Sequence, residues 1–200
     1  MNGEQIFLEK IKIFSTFHLP RYAELPEIEL YMDQVISVTD KYLGAFSVSG
    51  EPVLTPSMIN NYVKNRVIPA PEKKKYGRDH LAKLLVVCLL KPTMEISAIA
   101  EIIEKSEKLY GTQKMLDTFA EKYEDRLCSL AKEIGNTLKK SGNAEDVFVS
   151  IATENALGAG PMKTLAYFAY SAVRKEEPDE KEEKAEKKKE KTKDKVKSEE

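Results

Sequence analysis

Residues 54–103 decide the fold of this 200-residue chain and read LTPSMINNYVKNRVIPAPEKKKYGRDHLAKLLVVCLLKPTMEISAIAEII. The pair Thr55-Pro56 predicts the start of a helix. A threonine at this position can accept a hydrogen bond from an unpaired N–H of the first turn, and proline at the first helical position lacks a donor that would be unpaired anyway. The stretch therefore opens with a short helix, which we expect over residues 56–66.

This helix is predicted to have two different faces. Ile59, Tyr62 and Val63 recur at helical spacing and form an apolar stripe. The opposite stripe is polar and consists of Ser57, Asn60, Asn61, Lys64 and Asn65. Side-chain amides can bond adenine edges in a major groove and a cation can meet a phosphate, although a polar helical face is more often simply solvated.

Positive charge is concentrated just after this helix. An apolar, proline-containing step at residues 67–71 ends the helix, and the run Lys73-Lys74-Lys75 follows. Residues 64–91 carry eight Lys or Arg and two acids, a charge of +6, whereas residues 1–63 carry −4 and residues 92–175 carry −1. Such local focusing in an otherwise mildly acidic chain favours phosphate contact.

The rest of the stretch predicts two further helices. Residues 84–90 are apolar without a break, so a helix opening near Gly77 or Asp79 should be buried on most sides and should stop at Lys91-Pro92. Isoleucines at helical spacing then mark a fourth helix from Ile96 to about residue 105.

The order of these parts resembles the MerR-type winged helix-turn-helix. Residues 58–63 stand for its recognition helix, residues 67–71 for its apolar-proline step, residues 73–76 for its basic wing and residues 81–90 for its third helix. The run Asn60-Asn61-Tyr62 matches the usual Arg-Tyr-Tyr of that family only at the tyrosine. The resemblance implies a recognition helix at 56–66 in the major groove and a wing at 69–78 on phosphates.

A second resemblance includes residues upstream of the stretch. The runs Leu19-Pro20-Arg21-Tyr22 and Leu25-Pro26, the run YMDQV that follows Leu30, and residues 57–64 are similar to the bacterial family catalogued as domain of unknown function 1836. The similarity extends from about residue 19 to residue 103, and more loosely to residue 170. It implies a bacterial protein with a MerR-like DNA-binding region and carries no activity.

The periodicity outside the stretch is also helical. Helices are predicted over residues 2–14, 30–46, 112–140, 144–157 and 161–175, the last two separated by a break at residues 158–160. We therefore expect an all-α protein apart from a two-stranded wing at residues 68–76. A DNA-binding domain is predicted at residues 1–105 and a helical dimerisation or effector region at 106–175. Residues 176–200 form a charged tail, predicted to be disordered.

The function expected from these patterns is that of a DNA-binding transcriptional regulator, which acts as a homodimer through residues 106–175. The predicted long helix at residues 112–140 resembles in position the helix that pairs subunits in MerR-type proteins, so it is the expected dimer contact. The predicted DNA-binding residues are Ser57, Asn60, Asn61, Lys64, Asn65, Arg66, Lys73, Lys74, Lys75, Tyr76 and Arg78. Nothing in the sequence has the pattern of an enzyme, a metal site or a cofactor site, and no signal or membrane-spanning segment is predicted. The expected location is the cytoplasm.

Two other classes of function stay open on the sequence. One is a protein-interaction module that keeps a winged-helix shape and binds no DNA. The other is a sensor of an unidentified small-molecule effector, with a pocket in the C-terminal helices. Its candidate lining residues are the aromatics of this region, Phe119, Tyr123, Phe148, Tyr167, Phe168 and Tyr170, which are more often plain core residues.

Overall fold

The computed structural model describes residues 3–47, 50–140 and 144–174. Six α-helices follow one another in this part of the chain: α1 (Gly3–Thr16), α2 (Met32–Leu43), α3 (Pro56–Lys64), α4 (Arg78–Leu90), α5 (Ile96–Lys140) and α6 (Ala144–Ser171). Short 3₁₀ turns occupy Tyr22–Glu24 and Gly44–Phe46. The described residues contain isolated β-bridges and no strand, so the prediction of an all-α protein is confirmed.

Helix α4 is the centre of the core. Its unbroken apolar run leaves no polar stripe, and such a helix is stable in water only when other elements cover it on most sides. Both α2 and α5 pack on it. Seven of its thirteen residues are buried, namely Leu81, Ala82, Leu84, Leu85, Val86, Val87 and Cys88. The prediction of a central, buried third helix is confirmed.

Helix α5 is interrupted at Gly111. This residue has φ 77° and ψ 162°, which are not helical values and which a side chain would strain. The interruption separates a first segment at residues 96–110 from a second at residues 112–140. These correspond to the fourth helix and the long helix that the sequence predicts.

The second segment of α5 is covered by α1. Phe7 and Ile11 of α1 pack against a small cluster formed by Ile134 with Val147 and Ile151 of α6. Nearer the middle of the molecule, aromatic rings join the elements: the ring centroids of Phe17 and Phe46 are 4.7 Å apart, that of Phe17 lies 5.7 Å from Tyr123, and that of Phe46 lies 5.9 Å from Tyr123. The apolar stripe of the long helix is therefore used within the chain.

Several predicted helix boundaries are wrong. Helix α3 ends at Lys64 and not at residue 66, and α2 ends at Leu43 and not at residue 46. Helix α2 begins at Met32 and not at residue 30, because Leu30 uses both of its backbone groups to pair with another segment. The predicted break at residues 158–160 is absent, and α6 runs through Pro161 as one helix. A proline removes one helical hydrogen bond and bends a helix, but it does not have to end it.

The compact unit that contains the core extends to Tyr167, and the described residues 168–174 fall outside it. The predicted boundary after residue 105 falls inside α5, before the interruption at Gly111. The predicted tail, residues 176–200, lies outside the described residues. None of the described helices has the length and apolar character needed to cross a membrane.

A network of polar groups around Glu124 attaches the connector after α1 to α5. The Glu124 carboxylate accepts a 2.8 Å hydrogen bond from the backbone N–H of Leu19 and two from the Arg21 guanidinium, at 2.9 and 2.7 Å. The bonds from Arg21 are the main reason that the pKa of Glu124 is lowered, while its partial burial acts in the opposite direction. These contacts fix the chain that leads into α2.

We predict that Glu124→Gln lowers the free energy of unfolding at neutral pH by about 1–3 kcal/mol, because it removes a charge-assisted pair. A lowered folded-state pKa means that this contribution is fully present above the ordinary value of 4.5 and is lost as the pH falls through the folded-state pKa. Urea unfolding at several acidic pH values measures both effects. The exposed neighbour Glu121→Gln is the control; equal stability curves for the two variants would contradict the prediction.

Candidate nucleic-acid interface

Helix α3 starts and is anchored as its sequence predicts. The Thr55 hydroxyl accepts a 3.2 Å hydrogen bond from the Met58 N–H, and Pro56 occupies the first turn. Ile59 is fully buried and Tyr62 is 2% exposed. Burial raises the pKa of Tyr62 to about 12, and Cys88 of α4 contributes in the same direction. Helix α3 packs on α2. The apolar side of α3 is thereby turned inward.

The opposite side of α3 is open to solvent. Its exposed residues, hereafter the polar face, are Ser57, Asn60, Asn61, Lys64 and Asn65. Within the polar face, the Asn65 amide donates to the Asn61 backbone oxygen at 2.8 Å and to the Asn61 side-chain oxygen at 2.9 Å. Asn60 has no hydrogen-bond partner in the described chain, and its whole amide is available to a ligand.

The C-terminal end of α3 has the hydrogen bonds of a Schellman motif. The Val67 N–H donates to the Tyr62 oxygen at 2.9 Å and the Arg66 N–H donates to the Val63 oxygen at 3.0 Å. The position that Arg66 occupies in this motif is usually filled by glycine, because the backbone φ there is positive. Here Arg66 itself adopts φ 57° and is exposed. An arginine thus occupies a position at which glycine would be less strained.

The predicted wing is a tight turn rather than a two-stranded hairpin, which corrects the expectation for residues 68–76. The Lys75 N–H donates to the Glu72 oxygen at 2.8 Å, and a single bridge joins these two residues. The two residues between them, Lys73 and Lys74, have φ of 46° and 65°. Positive φ at both central positions is characteristic of a type I′ turn, which favours Asn-Gly. We call residues 72–75 the lysine turn.

Tyr76 is not available to DNA, contrary to the prediction. The backbone N–H of Tyr76 donates a hydrogen bond to the carbonyl oxygen of Leu30 at 2.8 Å. The carbonyl oxygen of Tyr76 accepts one from the backbone N–H of Leu30 at 2.9 Å. The side chain is 2% exposed and its ring lies 5.5 Å from that of His80. Tyr76 is a core residue that attaches the end of the lysine turn to the chain before α2.

Two of the predicted cations already contact groups of the same chain. The Arg78 guanidinium lies 3.2 Å from a Glu27 carboxylate oxygen and 5.3 Å from the centre of the Tyr22 ring. The Lys75 amine is 4.0 Å from a Glu29 oxygen and 5.8 Å from the Tyr31 ring. Both side chains help to hold residues 22–31 against the turn.

The other four predicted DNA-binding cations are exposed and have no ion-pair partner among the described residues: Lys64, Arg66, Lys73 and Lys74. We call residues 64–78 the basic segment. Three of these four cations are also the only non-glycine residues with positive φ in the described chain. The sequence places neither glycine nor asparagine at these three positions, so it gave no sign that the backbone there is left-handed. The strained conformation is therefore information that only the structure provides.

We predict that glycine at the left-handed positions stabilises the fold. Arg66→Gly, and separately Lys73→Asn with Lys74→Gly, should each raise the free energy of unfolding by about 0.5–1 kcal/mol, since the strain of an L-residue at positive φ is relieved. Lys75→Gly, one residue along and without positive φ, is the matched control and should destabilise the protein. Chemical denaturation compares the four proteins, and a loss of stability in all three variants would contradict this interpretation.

Comparison with known proteins identifies the family of the chain. No curated protein and no solved structure matches the chain. Residues 20–125 match the family described as "Domain of unknown function (DUF1836)". The matched region runs from the connector before α2, through α3, the lysine turn and α4, to the part of α5 that carries Glu124. Because the match covers more than half of the chain, the protein belongs to the DUF1836 family.

Proposed function

We propose that this protein is a DNA-binding transcriptional regulator whose helices α2 and α3 and lysine turn act as a MerR-like winged helix-turn-helix. In this proposal α3 enters the major groove with its polar face, and the lysine turn meets phosphates as a short wing. The observation that carries the proposal is that each non-glycine residue with positive φ in the described chain is an exposed Lys or Arg of one segment.

The strained backbone at the three basic residues with positive φ supports a charged ligand. Each left-handed L-residue costs roughly 1–2 kcal/mol of conformational energy, and such strain is often retained at functional sites. Glycine or asparagine at Arg66, Lys73 and Lys74 would relieve it without disturbing any packed side chain, because all three residues are exposed. The folded structure would therefore be at least as stable with uncharged, less strained residues at these positions. Phosphate contact gives the positive charge a role.

The chemistry of the polar face supports duplex DNA as the ligand. A side-chain amide can accept from the N6 amine of adenine and donate to its N7 at the same time. Asn60 is free to do both, whereas the Asn61 side-chain oxygen already accepts a bond from Asn65. Lys64 lies one turn along the same face from Asn60 and Asn61 and can contact the adjacent backbone. Asn60 is accordingly the first candidate for base recognition.

We predict that substitutions of base-reading residues and of phosphate-binding residues weaken DNA binding in different ways. Asn60→Ala or Asn61→Ala should weaken binding to a duplex from the protein's own promoter by roughly 1–3 kcal/mol and should hardly affect random DNA. Lys74→Ala should weaken both duplexes about equally and should lower the slope of log affinity against log salt by about 0.9. Fluorescence titrations at several salt concentrations measure these affinities.

Lys132→Ala on α5, an exposed lysine outside the basic segment, is the matched control and should leave both the affinity and the salt slope unchanged. If folded variants of the polar face and the lysine turn all bind DNA as the unaltered protein does, the DNA-binding proposal fails. A protein-interaction module with the same shape would then be the better account of the polar face.

A homodimer is part of the proposal, with α6 as the contact instead of the long helix that the sequence favoured. In α5 the apolar stripe of residues 112–140 is already covered by α1. Residues 152–165 of α6, by contrast, are all exposed, although they include only two charged residues, Glu154 and Lys163. A helix with so few charges is normally covered, and one that contains Gly158, Gly160 and Pro161 gains little from intrinsic propensity.

We predict that Leu157→Glu and Leu165→Glu each dissociate the protein into monomers, because both side chains are exposed in the single chain and a second copy would bury them. Light scattering and sedimentation at micromolar concentration measure the mass. Lys132→Glu on α5 is the control and should leave the dimer intact. A monomer of the unaltered protein, with and without DNA, would contradict the prediction.

A further inference from the structure

A cleft of about 420 Å³ opens between the end of α4 and the middle of α5. Leu89 and Leu90 of α4 form one wall, and Tyr110 lies on the near side of the interruption at Gly111. Met115, Phe119 and Tyr123 line the cleft beyond the interruption. The volume lies in the range of roughly 300–1,000 Å³ that ligand pockets occupy, and most of the lining is apolar.

Two cations stand at the mouth of this cleft. Lys122 and Arg126 are exposed residues that line it, and they are four residues apart on one face of α5. Neither has an ion-pair partner among the described residues. Asp125 is three residues after Lys122 and therefore lies close to that face, but neither it nor Glu121 forms an ion pair with Lys122 or Arg126 among the described residues.

One of the two acids between these cations, Glu124, is engaged elsewhere. Glu124 is bound by Arg21 and by the Leu19 N–H, so its charge is already compensated by the connector. Lys83 of α4, by contrast, is paired with Glu107 at 2.9 Å. The mouth of the cleft therefore combines an apolar interior with two positive charges that the chain itself leaves uncompensated.

We propose that this cleft binds an amphipathic carboxylate, a molecule of the chemical class of medium-chain fatty acids. The apolar chain lies between Leu89, Phe119 and Tyr123, and the carboxylate lies at the mouth between Lys122 and Arg126. The guanidinium supplies the planar pair of donors that matches a carboxylate, and the lysine supplies a second positive charge. The site lies outside the polar face and the lysine turn, so it stands independently of DNA binding.

Isothermal titration with dodecanoate below its micelle concentration tests the proposal on the full chain. We expect saturable binding, with much weaker binding of dodecyltrimethylammonium, which has the same chain and the opposite charge. The exposed double variant Lys122→Gln with Arg126→Gln should bind dodecanoate roughly ten- to thirtyfold more weakly while binding 1-dodecanol as before. The charge-matched control, Lys132→Gln with Lys139→Gln on the same helix, should stay within about twofold of the unaltered protein.

A second readout locates the ligand. The chain contains no tryptophan, so Phe119→Trp gives a single reporter in the cleft. Its emission should change with dodecanoate and saturate at the same concentration as the heat signal. Absence of dodecanoate binding, or equal affinity of the double variant, would overturn the proposal. So would an emission that follows protein concentration instead of dodecanoate, because a second copy of the chain would then occupy the cleft.

Discussion

Burial of α4 is the constraint on which the rest of the molecule depends. A helix with an unbroken apolar run is stable only inside other elements, and in this chain α2 and α5 pack on it. Helix α3 packs on α2 in turn and buries the side that carries Ile59 and Tyr62. The amides and Lys64 are then left on the solvent side. The proposed interface is thus a consequence of how the core is closed.

The same closure explains why strain collects in one segment. The chain must leave α3, turn back and reach Tyr76, which pairs with Leu30, within the residues between Lys64 and Gly77. This requires a left-handed residue at the end of α3 and two more in the lysine turn. Many proteins place Gly or Asn at such positions. In this chain the residues at these positions are basic. The fold is therefore less stable here than it would be with glycine, and a loss of stability of this kind is common at binding sites.

Periodicity and capping residues were sufficient to predict the helices, the central position of α4 and the two faces of α3, because these features follow from the local pattern of apolar residues. The features that the sequence did not reveal depend on contacts between distant segments. Tyr76 looked like a wing residue, yet its pairing with Leu30 buries it. The partners of Lys75 and Arg78 come from residues 22–31. The left-handed lysines carried no glycine signal at all.

The C-terminal half shows the same limit. The stripe of the long helix indicated a contact surface, but periodicity cannot say which neighbour fills it, and α1 does so. Pro161 and its neighbouring glycines suggested a helix break that is not present. Of the aromatic residues considered for a ligand pocket, Phe119 and Tyr123 line the cleft. Phe148 packs on Phe7 instead, and the Tyr167 hydroxyl accepts a hydrogen bond from the Glu95 N–H.

The central claim is that the polar face and the lysine turn form the surface that touches DNA. Lysine footprinting tests it most directly: the protein is acetylated under limiting conditions with and without promoter duplex, and the modification of each lysine is measured by mass spectrometry. The account predicts that DNA protects Lys64, Lys73 and Lys74, while the exposed Lys132 and Lys139 of α5 react equally in both samples. Protection on α5 with full reactivity at Lys64, Lys73 and Lys74 would contradict it.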